Sequence, residues 1–167
     1  MAVSPRLLGA LLGVGSEALD TSGLRLTLGE VYEFEGEGFL GAGGEKLLPR
    51  YERVEPVEEE GRLVYRLPPG AYLVRYREVV RVPVGFVAFA YPRSTLLRMG
   101  VALYTAVWDS GYEGRGVTLM VVHNPSGVVI EHGAHIAQLV YIPVIGEPVA
   151  YRGGYQGEGL QSNKQNL

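Results

Sequence analysis

The stretch PRSTLLRMGV, residues 92–101, sets charged and hydroxyl side chains within otherwise apolar sequence. Its candidate ligand-binding residues are Arg93, Ser94, Thr95 and Arg98. Guanidinium groups match phosphate oxygens in pairs, and hydroxyl groups add short hydrogen bonds. If STLLRM forms a helical turn, its first backbone amides also point toward a bound anion. The stretch is therefore a candidate phosphate site, and a surface turn with solvated arginines is the alternative.

A second candidate site lies in AVWDSGYEGRG, residues 106–116. Asp109 follows an apolar run and precedes a glycine turn, a position from which a carboxylate can orient or deprotonate a water molecule. Tyr112 can lie flat against a sugar or base ring. The alternative is an ordinary hairpin in which Asp109 hydrogen-bonds its own backbone.

The C-terminal stretch YRGGYQGEGLQSNKQNL is rich in glycine and glutamine and nearly free of aliphatic side chains. Such a segment cannot bury enough apolar surface to fold alone. We therefore predict a β domain over residues 1–150, followed by a flexible arm over residues 151–167. A mobile arm can close over a site and exclude water. Tyr155 and Lys164 are its candidates for stacking and for pairing with a charge.

The three histidines are the remaining candidates for site chemistry. His132 and His135 flank a glycine turn, and His123 ends an apolar run. A metal site would need them to converge with a carboxylate such as Glu131. Their spacing does not enforce this, because adjacent residues of a strand point to opposite faces. The sequence therefore predicts no metal ion held by protein side chains alone.

Composition limits the class of protein. The chain has 167 residues, 24 glycines and 10 prolines, which is typical of a single turn-rich β domain. A net charge of −3 gives no general attraction to nucleic acid or membrane, so an anion site must be a local arginine cluster. The absence of cysteine excludes disulfides and thiolate chemistry. No stretch approaches 18 apolar residues, and together these features favour a cytoplasmic protein.

Two-residue alternation of apolar and polar side chains dominates the chain and predicts many short strands. Strand-like runs occur at RLVYRL, GFVAFAY, VTLMVVH and HIAQLVYIPV, separated by turn signals such as PPG and NPSG. This pattern is typical of a sandwich, a jelly roll or a small barrel. STLLRM is the internal helix candidate, and the start of the chain, MAVSPRLLGALLGVG, predicts a short N-terminal helix rather than a signal peptide. Residues 35–61 are acidic and loop-rich, and we expect a solvated insertion there.

Four motifs in order give the chain a resemblance to the trimeric dUTPase and dCTP deaminase superfamily. PRSTLLRMGV resembles its arginine–serine phosphate motif, and AVWDSGYEG resembles its aspartate–tyrosine motif. GAHIAQLVYIPV is similar to its glutamine-bearing strand, and GGYQGEGLQS is similar to its C-terminal arm. The resemblance implies an all-β distorted jelly roll with one short helix. It also implies a homotrimer with sites between subunits, where the arm of one chain closes over a site made by others.

The resemblance also assigns roles to individual residues. Arg93, Ser94 and Gln138 match positions that contact phosphate, and Arg98 matches an arginine of the deaminase form. Asp109 matches the aspartate that holds the sugar 3′-hydroxyl and the attacking water.

Two aromatic residues complete the implied site. Tyr112 matches the tyrosine that lies under the deoxyribose and leaves no room for a 2′-hydroxyl. Tyr155 is similar to the aromatic residue of the arm.

The branch of the superfamily depends on one strand. Deamination needs a glutamate after the aspartate motif to move protons, whereas VTLMVVH has no carboxylate between Gly114 and Asn124. We therefore expect hydrolysis of dUTP to dUMP and pyrophosphate, with Mg²⁺ held mainly by substrate phosphates and water. The alternatives are a dCTP deaminase, including a bifunctional dUMP-forming enzyme, and a non-catalytic deoxynucleotide-binding relative.

Two departures from the family pattern bear on the site. The early motif has Arg25 where the family has aspartate, which reverses a charge. The arm has Glu158 where the family often has glutamine.

Overall fold

The structure, a computed structural model, describes residues 2–160. Two α-helices lie within this range, α1 (Pro5–Leu12) and α2 (Ser94–Arg98), together with a 3₁₀ turn at Ser16–Ala18. The strands are β1 (Leu24–Glu35), β2 (Phe39–Leu40), β3 (Lys46–Leu47), β4 (Arg50–Val54), β5 (Val57–Glu59), β6 (Arg62–Leu67), β7 (Gly70–Tyr76), β8 (Val80–Arg81), β9 (Phe86–Pro92), β10 (Val101–Tyr104), β11 (Glu113–Gly114), β12 (Val117–Val122), β13 (Val128–Glu131) and β14 (His135–Pro143). The prediction of an all-β fold is confirmed.

Both predicted helices are present. The side chain of Ser4 accepts a hydrogen bond from the Leu7 amide and begins α1, Pro5 opens the helix, and Gly13 ends it in the left-handed conformation. Leu8 is fully buried, so α1 is held by the core. Helix α2 is one short turn that is anchored by the buried side chain of Leu96.

The main sheet is built around β1, which is long enough to pair with three strands. The sheet runs in the order β10-β12-β7-β1-β14-β9, and β4 also pairs with β1. Irregularities in pairing at Leu26/Thr27 and between Leu28 and Glu30 bend β1. The first part of β1 therefore pairs with β14, and the later part pairs with β7 and β4. Within the described residues, three smaller sheets lie outside this one: β13-β6-β5, β11-β8 and β2-β3.

The segment 35–61 is more regular than expected from its composition. It is largely exposed, as predicted, but it contains the hairpin β2–β3 and the strands β4 and β5. β4 pairs antiparallel with β1 over five residue pairs, from Val31↔Val54 to Glu35↔Arg50. These strands could not be recognised in the sequence, because the connecting loops are rich in glycine and acidic residues. The strands form by pairing with residues that are distant in sequence.

Large tyrosines fill much of the core. Tyr65, Tyr76 and Tyr141 are fully buried beside aliphatic residues of β1, β7 and β14. The Tyr65 hydroxyl donates to the Gly29 carbonyl at 2.8 Å, and the Tyr141 hydroxyl donates to the Arg81 carbonyl at 2.8 Å. These bonds satisfy polar groups that would otherwise destabilise the core.

An ion pair between the buried Arg75 and the half-buried Glu30 joins β1 to β7. Glu30 lies opposite Arg75 in the sheet, and Arg75 Nη1 is 2.9 Å from Glu30 Oε2 and 3.2 Å from the Tyr32 hydroxyl. Burial alone would raise the pKa of Glu30. The hydrogen bonds from Tyr32 and Arg75 lower it by more than burial raises it, so the pKa of Glu30 lies below the ordinary value.

Within residues 2–160, no helix has both the length and the apolar character needed to cross a membrane.

Candidate active site

The Asp109 motif forms a tight turn after a short stretch of backbone pairing. Trp108 pairs with Ala88 through two backbone hydrogen bonds of 2.9 Å. The Tyr112 amide then donates to the Asp109 carbonyl at 3.1 Å, and Gly111 between them has φ +80°. Glycine tolerates this left-handed conformation without strain, so Gly111 allows the chain to reverse here. The Asp109 side chain is left exposed.

Asp109 lies at a cavity of about 570 Å³. Tyr112 and Tyr155 also line this cavity, so the structure brings together the predicted catalytic acid and both predicted aromatic residues. The other lining residues are Leu48, Pro49, Tyr51, Leu73, Ala106, Val107, Trp108, Gly116, Val117, Tyr151 and Glu158. A mostly apolar cavity with few polar groups is typical of a small-molecule site.

Tyr112 is held in place by neighbouring rings. Its side chain is buried, and it meets Trp108 edge-on at 5.5 Å and Tyr151 at 5.8 Å between ring centroids. Burial and the nearby Glu158 carboxyl raise the pKa of the Tyr112 hydroxyl well above its usual value. Tyr112 is therefore a fixed neutral surface rather than a group that exchanges protons at neutral pH.

The described part of the arm lies across the turn of its own chain. The Tyr151 amide donates to the Ser110 carbonyl at 2.7 Å, and the Gln156 side chain donates to the Gly111 carbonyl at 3.1 Å. Further along, the Arg115 amide donates to the Glu158 carbonyl at 2.7 Å. Residues 151–160 thus form one wall of the cavity, whereas Lys164 lies outside the described residues.

Two arm side chains make contacts that sequence reasoning did not foresee. Lys46 Nζ lies 4.5 Å from the Tyr155 ring centroid and donates to the Tyr155 hydroxyl at 3.2 Å. Glu158 is buried, and its burial raises its pKa while the positive charge of Arg75 opposes that rise. Lys46 of the β2–β3 hairpin therefore contacts the arm through Tyr155. Glu158 places a buried carboxyl in the wall of the cavity.

The predicted phosphate residues lie apart from this cavity in the single chain. Arg93, Ser94, Thr95 and Arg98 are exposed at α2 and do not line the cavity, and neither does Gln138. The Arg93 amide donates to the Ile136 carbonyl at 2.9 Å, which docks the start of α2 beside β14.

Gln138 belongs to an outward-facing row near this docking point. It is paired with Arg25 of β1 on one side and with the exposed Tyr91 of β9 on the other. The arginine in the early motif thus faces a predicted phosphate-contacting residue.

Comparison with known proteins identifies the family to which the chain belongs. The model of the dCTP deaminase-like family matches residues 12–144. The chain belongs to the dCTP deaminase-like family.

Close relatives carry one enzyme name. The probable deoxyuridine 5′-triphosphate nucleotidohydrolase of Aeropyrum pernix is 46% identical over 155 residues, which cover 92% of this chain and 94% of the relative. The deoxyuridine 5′-triphosphate nucleotidohydrolase of Methanocaldococcus jannaschii is 38% identical over 142 residues, with 84% and 88% coverage.

A solved structure supports the fold. The 2′-deoxycytidine 5′-triphosphate deaminase of Agrobacterium tumefaciens superposes with a TM-score of 0.65 and 20% identity. The match covers 88% of this chain and 49% of that longer chain, so the present chain spans about half its length.

This dCTP deaminase-like chain lacks an acid on the strand after the aspartate turn. β12 alternates between buried and half-buried side chains, all of them aliphatic apart from Met120 and the buried Thr118. The Thr118 hydroxyl donates to the Tyr104 carbonyl at 3.0 Å. No residue of β12 therefore offers a carboxylate for proton transfer.

Sequence reasoning missed one wall of the cavity. Leu48, Pro49 and Tyr51 come from the segment expected to be a solvated insertion. Burial raises the pKa of Tyr51, and the nearby Tyr155 and Glu158 add to this effect. No local motif marks these residues, because they reach the site through the pairing of β4 with β1.

Gly116 is required by the packing of Trp108, the one tryptophan of the chain. A Cβ at this position would overlap the Trp108 ring. We expect Gly116→Ala to push the indole from its place, to destabilise the fold by about 1–3 kcal/mol and to shift the tryptophan emission. Fluorescence-monitored denaturant unfolding checks this result.

Gly154→Ala is the matched control, because nothing lies within 4 Å of a Cβ there. If Gly116→Ala had the same emission and unfolding midpoint as the control, Trp108 would not be held as described.

Proposed function

We propose that the protein is a dUTP diphosphohydrolase that cleaves dUTP to dUMP and pyrophosphate. The observation that carries this proposal is the exposed Asp109 carboxylate beside a cavity whose wall includes the buried Tyr112 ring. Relatives with 38–46% identity that are named as deoxyuridine triphosphate nucleotidohydrolases support the same substrate.

In the proposed reaction, Asp109 orients a water molecule for in-line attack on the α-phosphorus and accepts its proton. An exposed carboxylate at the edge of a largely apolar cavity can reach both the water and the bound nucleotide. The bond from the α-phosphorus to the bridging oxygen breaks, and pyrophosphate leaves. Arg93 and Arg98 offset the negative charge that develops on it.

The other predicted residues bind and select the substrate. We propose that Ser94, Thr95 and Gln138 contact phosphate oxygens and that Tyr112 lies beneath the deoxyribose. Because neighbouring rings fix Tyr112, it cannot move aside to admit a 2′-hydroxyl. Tyr155 then covers the cavity from the arm.

We also propose that Mg²⁺ arrives bound to the triphosphate. Among residues 2–160, no group of three histidine, cysteine or acidic side chains could hold a metal ion. Substrate phosphates and water would be its main ligands, as is usual for Mg²⁺ at nucleotide sites. When bound there, it withdraws charge from the phosphate oxygens.

We propose a homotrimer whose sites combine residues from neighbouring subunits. The phosphate residues and the Asp109 cavity do not meet in one chain, and exposed apolar side chains such as Tyr91 and Val107 accompany both groups. Residues 151–167 would act as an arm distinct from the β domain of residues 1–150.

A substrate profile tests the reaction. Purified protein with Mg²⁺ receives dUTP, dCTP, dTTP or UTP in separate reactions, and anion exchange resolves the products. We expect only dUTP to yield its monophosphate and pyrophosphate, since β12 has no carboxylate for deamination and Tyr112 excludes ribose.

Two results would contradict this expectation. Formation of dUTP or dUMP from dCTP would establish deamination and require another proton-transfer group. Four unchanged nucleotides would indicate a nucleotide-binding relative without this chemistry.

Subunit complementation tests the shared site. Asp109→Asn should lower kcat by about 10²- to 10⁴-fold, the usual contribution of a general base. Arg93→Ala should also be nearly inactive. When the two variants are mixed and reassembled in equal amounts, about a quarter of the sites would receive an intact residue from each parent and regain activity.

Each variant reassembled with itself is the control. If the mixture stayed as inactive as its parents while native mass spectrometry showed mixed trimers, the two residues would serve the same subunit's site.

A further inference from the structure

Arg93 is in contact with two side chains to which no role has been assigned. Its Nη1 is hydrogen-bonded to His135 Nδ1 and lies 3.9 Å from Asp20 Oδ2. His135 Nδ1 is in turn 3.5 Å from Asp20 Oδ2. Only about half of the Arg93 side chain is exposed, so these contacts restrict its orientation.

The hydrogen bonds determine which nitrogen of His135 carries the proton. His135 Nε2 is 2.8 Å from the Ala137 carbonyl, which can only accept a hydrogen bond, so Nε2 carries the proton. In a neutral imidazole Nδ1 is then an acceptor, and the Arg93 guanidinium can only donate. The two bonds are therefore compatible only while His135 is neutral.

Asp20 is held independently of this pair. Its Oδ1 accepts hydrogen bonds from the Thr21 amide at 2.8 Å and from the Thr21 hydroxyl at 3.1 Å. The bond from the Thr21 amide is the main reason that the pKa of Asp20 is lowered, so Asp20 is charged throughout the neutral range. It supplies a carboxylate near the phosphate motif in a chain where Arg25 occupies the early-motif aspartate position.

We propose that His135 is a positioning residue that accepts a hydrogen bond from Arg93 through its unprotonated Nδ1 and so holds the guanidinium ready for phosphate. The substrate role rests on the function proposed above. His135 does not touch the reacting atoms, so it acts on the triphosphate through Arg93 and not directly on the attacking water.

The charges around His135 set when this contact exists. Partial burial lowers the pKa of His135, Arg93 and Arg25 lower it further, and Asp20 and the bond to Ala137 oppose the decrease. The net pKa lies below the ordinary value of 6.5, so the imidazole is neutral at neutral pH.

Protonation of His135 in acid would reverse the arrangement. A proton on Nδ1 places two donors and two positive charges face to face, so Arg93 is released while His135 turns its new N–H toward Asp20. Phosphate affinity should therefore be constant above pH 6.5 and fall as the pH decreases through the lowered pKa of His135.

The test uses inorganic tripolyphosphate as the probe, with binding measured by calorimetry between about pH 5 and 8. His135→Ala removes the acceptor and should weaken binding about 10-fold near neutral pH, which is the usual effect of losing a hydrogen bond to a charged group. His135→Gln retains a non-titrating acceptor. It should keep near-wild-type affinity at neutral pH and lose the additional decrease in acid.

His123→Gln is the matched control, because His123 is an exposed histidine at the end of β12. The probe's own titration is common to all variants, so the ratio of each Kd to that of the unaltered protein is compared. Thermal unfolding of each variant confirms that it is folded at every pH used. With dUTP, His135→Ala should raise KM and should lower kcat far less than Arg93→Ala does, because the guanidinium is still present.

The proposal is overturned if His135→Ala binds tripolyphosphate like the control at every pH. It is also overturned if His135→Gln shows the same acid decrease as the unaltered protein, or if the unaltered protein does not bind the probe. Failure of the unaltered protein to hydrolyse dUTP would instead contradict the proposed function, and the tripolyphosphate result would still decide the role of His135.

Discussion

The buried guanidinium of Arg75 connects the core of the sheet to the candidate active site. It is paired with Glu30 and bonded to the Tyr32 hydroxyl, so β1 and β7 are joined by a charge that is not exposed to water. Removing a charge from water is costly unless its partners are fixed in good geometry. Here Glu30 and Arg75 lie opposite each other in the pairing of β1 with β7. The ion pair therefore forms only when the two strands are correctly paired, and it stabilises that pairing in turn.

The positive charge of Arg75 also interacts with Glu158 of the arm. Glu158 is buried and close enough to Arg75 that the positive charge opposes the rise in its pKa. The backbone carbonyl of Glu158 also accepts from Arg115, so the residue is held by two different interactions. A glutamate that departs from the family pattern therefore has a structural role in the wall of the cavity.

Local sequence motifs predicted the structural features that depend on neighbouring residues. The turn around Asp109 follows from the glycine at position 111, and the helical turn after Arg93 follows from STLLR with its buried Leu96. The strand-like run of β12 and the presence of α1 were likewise visible. Each of these features depends on residues that are neighbours in the chain.

Contacts between distant residues could not be predicted in this way. Tyr51 reaches the cavity because β4 pairs with β1, and Lys46 meets Tyr155 across 109 residues of chain. His135 was considered only as a metal ligand, yet its ring contacts Arg93 because α2 starts beside β14. Local sequence does not predict these contacts, because they depend on which strands pair when the sheet forms.

The position of water attack is the central chemical claim, and isotope labelling tests it most directly. The protein would turn over dUTP with Mg²⁺ in water enriched in oxygen-18, and mass spectrometry would locate the label in the two products. Attack on the α-phosphorus, with Asp109 holding the water, predicts one labelled oxygen in dUMP and none in pyrophosphate. Label in pyrophosphate and not in dUMP would show attack on the β-phosphorus, and it would contradict the placement of Asp109 beside the α-phosphate.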